Sequence, residues 1–436
     1  MKTKFGKPMR KHFLFQNSWL NMNHGSFGAI PRCIRKCLHE KQDLVESSPD
    51  SFIRFDYAKH LLESRTAIAT LVKAPVQSIA LVPNATTGID TILRNLEYSR
   101  GDYILTFSTV YGAAERTALH LSEVTGVQIA NIPITYPMSD ADILLLFLAT
   151  VQNIGADQIK VAVFDTISFE PGVRMPFEAL VQACRERNIL SCVDGAHCIG
   201  QIPINLESLD PDFFVSNLHK WLFVPRGCAV LYVPPRNQAL IRTTFPTSWG
   251  FTPRSTICRC QFQQSSDQSA FERLFESVGT MDYSPFLCVA EALRFRKQIG
   301  GENAIMLYNS QLAREGGRIM AQILGTDVLD NAESTLTRGL SMVNVQLPLH
   351  LKRLPGKETV DWICRTLVSE YHTFTPVFIH GHKIWTRVSA QVYLELDDFV
   401  FLGHIFKDIC DRVKGGVVGG NSDTKSLMLG KTTGLC

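Results

Sequence analysis

The sequence predicts an α/β protein in which a mostly parallel sheet forms a large domain, followed by a smaller α+β C-terminal domain. Short apolar runs of strand length alternate with helix-length segments between residues 76 and 235. Strands that alternate with helices favour a parallel sheet that is covered on both faces. After residue 285 the order changes, and helix-length stretches precede strand-like runs that follow each other closely.

Seven strand-like runs are expected to form the sheet of the large domain. They are residues 78–82, 103–107, 127–132, 160–165, 189–193, 213–216 and 228–233. Helix-length segments separate several of them, at residues 87–96, 113–125, 140–153 and 176–188. A chain of 436 residues that is 45% hydrophobic is long enough to bury the core that such a sheet needs.

The C-terminal domain is predicted from helical stretches and a hairpin. Helices are expected at residues 285–298, 304–324, 360–371 and 397–413, and strands at 341–347, 373–379 and 383–388. The short link of His380, Gly381 and His382 between the last two strands is typical of a hairpin.

The expected organisation is an N-terminal segment (1–70), a large domain (71–285), a small C-terminal domain (286–414) and a tail (415–436). A Ser/Gln-rich stretch at residues 261–269 predicts a loop within the large domain. The Gly, Ser, Thr and Asn content of the tail predicts that it is mobile.

Charge and cysteine content narrow the class of protein. The net charge of +3 produces no strong field that would favour nucleic acid or a membrane surface. The longest apolar run, residues 143–151, is too short to span a bilayer. The basic start of the chain has no apolar segment after it, and the twelve cysteines include no CxxC pair. We therefore expect a cytoplasmic protein with reduced thiols, no metal site and no nucleic-acid or membrane partner.

The most informative residues are Lys220 and Asp194, because each comes just after a strand-like run. Lys220 lies in the sequence SNLHKW, and Asp194 is followed three residues later by His197. An enzyme that uses pyridoxal 5′-phosphate (PLP) needs a lysine amine that forms a Schiff base with the cofactor aldehyde. It also needs a carboxylate that faces the pyridinium nitrogen. The pair therefore predicts PLP as the cofactor.

Two further strand ends are expected to meet this pair. Ligands of parallel sheets bind at the carboxyl ends of the strands, and Thr86 and Tyr111 also follow strand-like runs. Ala85, Thr86 and Thr87 open a predicted helix, where backbone amides and a hydroxyl suit a phosphate group.

Seven short motifs resemble those of class V PLP-dependent enzymes of fold type I, in particular the isopenicillin N epimerase-like branch. They are residues 23–28 (NHGSFG), 83–88 (PNATTG), 109–112 (TVYG), 193–197 (VDGAH), 217–221 (NLHKW), 279–282 (GTMD) and 387–393 (RVSAQVY). Within this branch the sequence is most similar to fungal members. These include hercynylcysteine sulfoxide lyases and enzymes of secondary-metabolite clusters.

The resemblance implies roles for the residues around the cofactor. Asn217 and His219 would bind the phosphate together with residues 85–87. Thr280 would bind the phosphate of the neighbouring subunit, which implies a homodimer.

The resemblance also places two aromatic side chains at the cofactor ring. Tyr111 would stack on the pyridine face and offer a phenol for proton transfer. His197 would contact the ring oxygen, and a helix-capping role is the alternative for this residue.

Other residues would handle an amino-acid substrate. Arg387 would bind the α-carboxylate, because its planar guanidinium forms a bidentate pair that a lysine cannot reproduce. Asn23 and His24 would close the site from the N-terminal segment. Lys220, once released from the cofactor, would act as general base at the α-carbon.

The expected reaction is elimination by a C–S lyase on a cysteine-type sulfoxide conjugate. A C–C bond-forming cyclase or an epimerase in alkaloid or other secondary metabolism is the alternative. It stays open because Ala114 stands where the resemblance leads us to expect a cysteine in the hercynylcysteine sulfoxide lyases of ergothioneine synthesis, so a polar partner near the leaving group would be missing. Cys364 lies on a predicted helix rather than on a mobile loop, which disfavours a persulfide-carrying desulfurase. A non-catalytic scaffold is the alternative from another class, and the intact Lys220, Asp194 and Arg387 argue against it.

Overall fold

A seven-stranded sheet forms the centre of the large domain in the computed structural model, which describes residues 5–254, 268–350 and 356–417. Its strands in chain order are β1 (Ile79–Val82), β2 (Tyr103–Phe107), β3 (Gln128–Ile132), β4 (Ile159–Asp165), β5 (Leu190–Asp194), β6 (Phe213–Asn217) and β7 (Ala229–Tyr232). In space the order is β1-β7-β6-β5-β4-β2-β3. Every strand begins and ends close to its predicted position.

The sheet is mostly parallel, as predicted, but one strand runs in the opposite direction. The neighbours among β2 to β6 pair in parallel, whereas β7 is antiparallel to both β6 and β1. Residues 218–228 alone connect β6 to β7, and a parallel connection needs about a dozen residues or more. The direction of β7 therefore follows from the shortness of its connection.

Helices precede the sheet, connect its strands and cover its faces. The N-terminal segment contains α1 (His24–Phe27), α2 (Arg32–Ser47), α3 (Pro49–Ser51) and α4 (Tyr57–Val72), with a π-helical turn at Phe52–Asp56. The large domain contains α5 (Ala85–Asn95), α6 (Gly112–Thr125), α7 (Asp140–Ile154), α8 (Phe177–Arg185), α9 (Leu206–Leu209), α10 (Leu218–Trp221) and α11 (Ala270–Glu276). The four predicted helices of this domain correspond to α5, α6, α7 and α8.

The small domain combines four helices with a three-stranded antiparallel sheet. Its elements are α12 (Val289–Ile299), α13 (Glu302–Leu324), β8 (Met342–Gln346), α14 (Gly356–Ser369), β9 (Val377–His380), β10 (Lys383–Ser389) and α15 (Leu396–Lys414). The predicted hairpin is present, and its two turn residues, Gly381 and His382, both have positive φ angles (55° and 61°). Such angles match the tight turns that join twisted strands.

One strand of the small domain is shorter than predicted. β9 begins at Val377 rather than at residue 373. Pro376 has no amide hydrogen to donate to a strand ladder, so it ends the pairing on that side. The hydroxyl groups of Thr375 and Thr386 lie 2.8 Å apart, so a side-chain hydrogen bond continues the contact beyond the ladder.

The N-terminal segment packs on the small domain and reaches the turn that carries Lys220. The Gly6 amide donates to the Val392 carbonyl oxygen at 2.7 Å, and Leu20 forms an isolated bridge with Thr373. Gly28 has a φ of 65°, and a Cβ atom there would lie 1.8 Å from the His219 carbonyl oxygen. Only glycine permits this approach, so residues 23–28 lie directly against the lysine turn.

The described part of the chain has free thiols and no membrane-spanning element. All nine cysteines within it are unpaired, six of them buried. None of its helices is long and apolar enough to cross a membrane. No group of three or more His, Cys, Asp or Glu residues in these ranges could hold a metal ion. The predicted loop up to residue 267 and the tail from residue 418 lie outside the described residues.

Candidate active site

Asp194 and Lys220 lie at the carboxyl ends of two neighbouring parallel strands. Asp194 is the last residue of β5, and Lys220 lies in α10, the single helical turn that follows β6. Both side chains are buried, with Lys220 only 8% exposed. The structure thus brings the amine and the carboxylate to the same edge of the sheet.

The surroundings of Lys220 favour its uncharged amine. The pKa of Lys220 is lowered to about 7, mainly by burial and also by the Arg387 guanidinium. The carboxylates of Asp194 and Asp165 act in the opposite direction. The uncharged amine is the form that attacks an aldehyde, so Lys220 can react near neutral pH.

A second buried carboxylate, Asp165, lies beside Asp194. Asp165 ends β4, and the two aspartates are direct partners in the register of β4 and β5. Burial raises the pKa of both carboxyl groups, and Asp194 raises that of Asp165 further. The Ala196 amide donates to Asp194 Oδ1 at 2.9 Å and opposes this rise. A protonated pyridine nitrogen would stabilise this concentration of negative charge, so the pair fits the ring of PLP.

Asp165 is a site residue that the sequence analysis missed. A sequence signal for Asp165 was present. The predicted strands 160–165 and 189–193 follow each other in the βαβ order, so their carboxyl ends should lie side by side at one edge of a parallel sheet. An acidic residue at each of two adjacent strand ends is the pattern that would have indicated it.

The start of α5 offers one amide for a phosphate, rather than three. The Ala85 amide donates to Asn217 Oδ1 at 2.9 Å, and the Thr87 amide donates to the Asn84 side chain at 2.8 Å. Thr86 is exposed, and its amide and hydroxyl have no partner within the described chain. Of residues 85–87, Thr86 is therefore the one whose donors are available to a ligand.

Two side chains beside Lys220 extend this phosphate-binding region. Asn217 uses its oxygen to hold the Ala85 amide, which leaves its amide nitrogen to donate elsewhere. His219 has a buried Nδ1 atom without a partner, and burial lowers its pKa to about 4. An unpartnered buried polar atom carries a free-energy cost that a bound ligand can remove. These groups fit the phosphate of PLP.

Tyr111 lies at the mouth of the site, next to an aromatic residue that was not predicted. Tyr111 precedes the first turn of α6 and is 42% exposed. Its ring is 5.6 Å from that of Phe169 in an edge-to-face arrangement. Phe169 also lies 6.3 Å from the ring of His197. No sequence signal identified Phe169, because its position depends on a loop after β4.

Arg387 lies on β10 of the small domain and is fully buried. Its guanidinium stacks on Phe169 at 4.6 Å, and Nη1 donates to the Phe169 carbonyl oxygen at 2.6 Å. Nη2 donates to Ser26 Oγ at 2.9 Å and to Asn23 Oδ1 at 3.3 Å. The Nε atom has no partner, and no carboxylate in the described residues forms an ion pair with this arginine.

A second fully buried arginine, Arg296, does have an ion-pair partner. Arg296 is also fully buried, but Glu302 accepts from its Nε and Nη2 atoms, at 2.6 Å in each case. Buried charges in proteins are normally paired. Arg387 therefore has the burial of a structural arginine without a direct ion pair, since the Glu170 carboxylate acts on it only through space, and this suits a residue that binds an anionic ligand group.

The structure separates the two residues that were predicted to close the site from the N-terminal segment. Asn23 is buried beside Arg387 and contacts it directly. His24 is enclosed, because its Nδ1 lies 3.1 Å from the Tyr393 hydroxyl and its ring packs against Trp221 and Phe223. His24 thus supports the lysine turn from behind, and its contact with the substrate stays a prediction.

Thr280 and Ala114 lie away from the buried pair. Thr280 is exposed in a loop whose neighbours Val278 and Met281 line a cavity of about 60 Å³ together with Thr87. Ala114 is buried in the apolar cluster that packs α5 and α6 on the sheet. Its methyl group thus belongs to the core rather than to the polar lining of the site.

The site combines a lysine on a helical turn, an aspartate at the adjacent strand end and a helix start with free donors. This combination defines the class of PLP-dependent enzymes with an α/β fold. The chain belongs to the aminotransferase class-V family, whose model matches residues 44–351, and its cofactor is PLP.

Several relatives match almost the full chain. An L-cysteine desulfhydrase-like protein, lolT1 of Epichloe uncinata, is 38% identical over 95% of this chain and 98% of its own length. The hercynylcysteine sulfoxide lyase of Schizosaccharomyces pombe is 31% identical over 93% of this chain and 98% of its own. The isopenicillin N epimerase of Streptomyces clavuligerus is 24% identical over 88% of this chain and 93% of its own.

Solved structures share the fold. The cystine C–S lyase C-DES, in complex with cysteine persulfide, superposes with a TM-score of 0.73 and 19% identity over 93% of this chain and 99% of its own. A lysine-to-alanine mutant of C-DES, with glycine covalently linked to the PLP cofactor, gives a TM-score of 0.75 and 18% identity over 92% and 99%. The predicted fold type I architecture is confirmed by these superpositions.

Proposed function

We propose that this protein is a PLP-dependent C–S lyase that removes the α-proton of a cysteine-type amino acid. The observation that carries the proposal is the buried, unpaired guanidinium of Arg387 in the same site as Lys220 and Asp194. An amino-acid carboxylate supplies the anion that this arginine lacks. The names of the relatives, several of them desulfhydrases or a sulfoxide lyase, favour elimination of sulfur.

The roles of the chain's own residues follow from this assignment. PLP supplies an electron sink that makes the α-proton acidic. Arg387 fixes the carboxylate and so orients the α-carbon toward Lys220. Lys220 Nζ accepts the α-proton, the Cα–H electron pair forms a Cα=Cβ bond, and the sulfur group leaves with the Cβ–S electron pair. The released enamine hydrolyses to a keto acid and ammonia.

Asp194 and Tyr111 would support this step from two sides of the ring. Asp194 would keep the ring nitrogen protonated, because the ionised carboxylate makes a charge-assisted hydrogen bond to it. Tyr111 is exposed at the mouth of the site, where its ring can stack on the cofactor and its phenol can reach a leaving group. His197 lies between the lysine amine and Phe169.

A reaction assay in heavy water tests the function directly. With cysteine or a cysteine sulfoxide conjugate, we expect release of pyruvate, ammonia and a sulfur product. Mass spectrometry should show solvent deuterium at the α-carbon of the remaining substrate and in the methyl group of pyruvate. Enzyme reduced with borohydride serves as the control, since its lysine can no longer be released. Absence of both exchange and product with every amino acid tested would contradict the mechanism.

A second candidate is a C–C bond-forming cyclase, or an epimerase, in alkaloid or other secondary metabolism. The relative named isopenicillin N epimerase supports it, whereas Ala114 carries no argument about a leaving group, because its methyl group lies in the core. The same assay separates the candidates. A cyclase keeps the nitrogen and yields a new ring without a keto acid, and an epimerase returns the substrate with inverted configuration.

We also propose that the active unit is a cytoplasmic homodimer. Phe245 is 66% exposed and Met281 is 39% exposed, and both line the small cavity beside Thr87. Large exposed apolar side chains next to one another are typical of surfaces that a partner covers. Thr280 is adjacent to Met281 on this surface, so a second copy placed there would bring Thr280 to its neighbour's phosphate site.

Hybrid dimers test this arrangement. Lys220→Ala and Thr280→Trp chains are each expected to be inactive alone, and mixing them in equal amounts should restore about a quarter of wild-type activity. Half of the dimers are then hybrids, and in each hybrid one site combines an intact lysine with an intact partner threonine. Mixing Lys220→Ala with Arg387→Ala is the control, because both residues act within one chain and no site is restored. Full activity of Thr280→Trp alone would contradict the proposal.

A further inference from the structure

Trp221 follows Lys220 directly and connects it to His197 through hydrogen bonds. The indole Nε1 donates to His197 Nδ1 at 3.4 Å, and His197 Nε2 lies 2.9 Å from Lys220 Nζ. All three side chains are buried, and Trp221 is completely enclosed. The three groups therefore form a short chain of polar contacts inside the protein, shielded from water.

The indole determines which nitrogen of His197 carries the proton. Burial lowers the pKa of His197 well below its usual range, so its ring is neutral and has one donor and one acceptor nitrogen. The indole N–H can only donate. Nδ1 of His197 must then accept, and the ring proton lies on Nε2, which faces the Lys220 amine.

We infer that Trp221 is a positioning residue that keeps the Lys220 amine uncharged by fixing this tautomer. The uncharged amine has a lone pair that accepts from Nε2–H, whereas an ammonium has no acceptor. Without the indole donor, His197 could move its proton to Nδ1 and present a lone pair to a Lys220 ammonium. The tautomer therefore decides which form of the lysine the histidine stabilises. The inference relies on the proposed role of Lys220 as the residue that binds the cofactor.

The indole and the imidazole are both held from behind. Gln201 donates to the His197 carbonyl oxygen at 2.7 Å, and Arg296 donates to the Trp221 carbonyl oxygen at 2.7 Å. The ring of His24 packs on Trp221 at 5.5 Å. These contacts hold the backbone of His197 and Trp221 and pack the indole, so the two side chains stay close enough for the hydrogen bond that selects the tautomer.

Other charged and titratable groups also act on Lys220. Asp165 on β4 and Asp194 on β5 favour the ammonium, and Arg387 on β10 opposes it. His219, in the same turn as Lys220, is neutral because burial lowers its pKa to about 4. A Trp221→Phe change leaves all of these groups in place and removes the indole N–H together with part of a buried ring, so a control for the lost ring volume at another buried tryptophan, Trp385, is needed.

The tautomer can be observed without the reaction. In full-length protein labelled with ¹⁵N-histidine and freed of cofactor, His197 is expected to show a protonated Nε2 and an unprotonated Nδ1. Trp221→Phe should lose this preference and populate the Nδ1–H form. A wild-type His197 protonated on Nδ1 would overturn the inference, whatever the protein's substrate.

The consequence for Lys220 is measured by the pH dependence of cofactor rebinding. The rate at which added PLP forms its lysine-bound absorption band should rise with a midpoint near pH 7 in the wild type, following the pKa of Lys220. Trp221→Phe should move this midpoint upward by about one pH unit, the size expected when one hydrogen bond stops favouring one protonation state.

Trp385→Phe is the matched control. In the wild type, the indole Nε1 of Trp385 donates to the His380 carbonyl oxygen at 3.1 Å in the small-domain hairpin. This indole contacts neither His197 nor Lys220. This variant should keep the wild-type midpoint. An unchanged midpoint in Trp221→Phe, or an equal shift in Trp385→Phe, would overturn the inference. Failure of the proposed function is seen separately, as attachment of the cofactor to a different lysine after borohydride reduction.

Discussion

Replacing Lys220 with alanine should reduce turnover by about 10⁴-fold or more, because the change removes the cofactor attachment and the general base together. The absorption band of the lysine-bound cofactor should disappear as well. Borohydride reduction of the wild-type enzyme should fix the cofactor permanently on Lys220, which peptide mapping identifies. Steady-state kinetics and the absorption spectrum provide the two independent measurements.

Lys160→Ala is a suitable control for this experiment. Lys160 is partly exposed and its amine lies 3.6 Å from Asp102, far along the chain from the lysine turn. A surface ion pair of this kind contributes little to stability, so activity and spectrum should be unchanged. If peptide mapping instead finds the label on another lysine, the assignment of Lys220 is wrong.

The strands and most helices could be predicted because they depend on local sequence. Strand β2 occupies residues 103–107, as its run of apolar and β-branched residues indicates. The reversed direction of β7 was not predicted, since direction depends on the length of a connection rather than on the strand's own residues. The late start of β9 was not predicted either. Pro376 prevents pairing with β10 because it has no amide hydrogen, and this effect is visible only when the partner strand of β9 has been identified.

In the candidate active site, too, some residues could be identified from the sequence and others only from the tertiary structure. Lys220 and Asp194 could be identified because the order of strands along the chain places their ends together. Asp165 was missed although acidic residues follow one another at the ends of two adjacent predicted strands, and the register between β4 and β5 places it beside Asp194. Phe169 and Trp221 required the tertiary structure, because their partners, Arg387 and His197, lie far from them in the sequence or on another element.

The enclosed position of His24 illustrates a further limit. Residues 23–28 resemble a family motif, and the motif does lie at the site, because Gly28 contacts the lysine turn and Asn23 contacts Arg387. Which side chain of such a segment faces the ligand depends on the rotation of α1, a single turn. Sequence similarity located the segment, but only the packing shows that His24 contacts Trp221.

The two fully buried arginines lead to the second large effect. Arg387→Met should lower kcat/KM by about 10²- to 10³-fold, because two charged hydrogen bonds to the substrate carboxylate are lost. Arg387→Lys keeps the charge but not the planar pair of donors, and should recover only a small part of this loss. The loss should appear mainly in KM, since the carboxylate is bound in both the ground state and the transition state.

The two fully buried arginines should also differ in how much they contribute to stability. Arg387→Met removes a buried guanidinium that has no direct ion pair but leaves the Phe169 carbonyl oxygen without its donor, so the free energy of unfolding should fall by only about 1 to 2 kcal/mol. Arg296→Met leaves Glu302 and the Trp221 carbonyl without their partner, and should cost about 3 kcal/mol or more. Urea denaturation measures both changes. A large loss of stability in Arg387→Met with unchanged KM would show that Arg387 is a structural residue, and the carboxylate would then have to bind elsewhere.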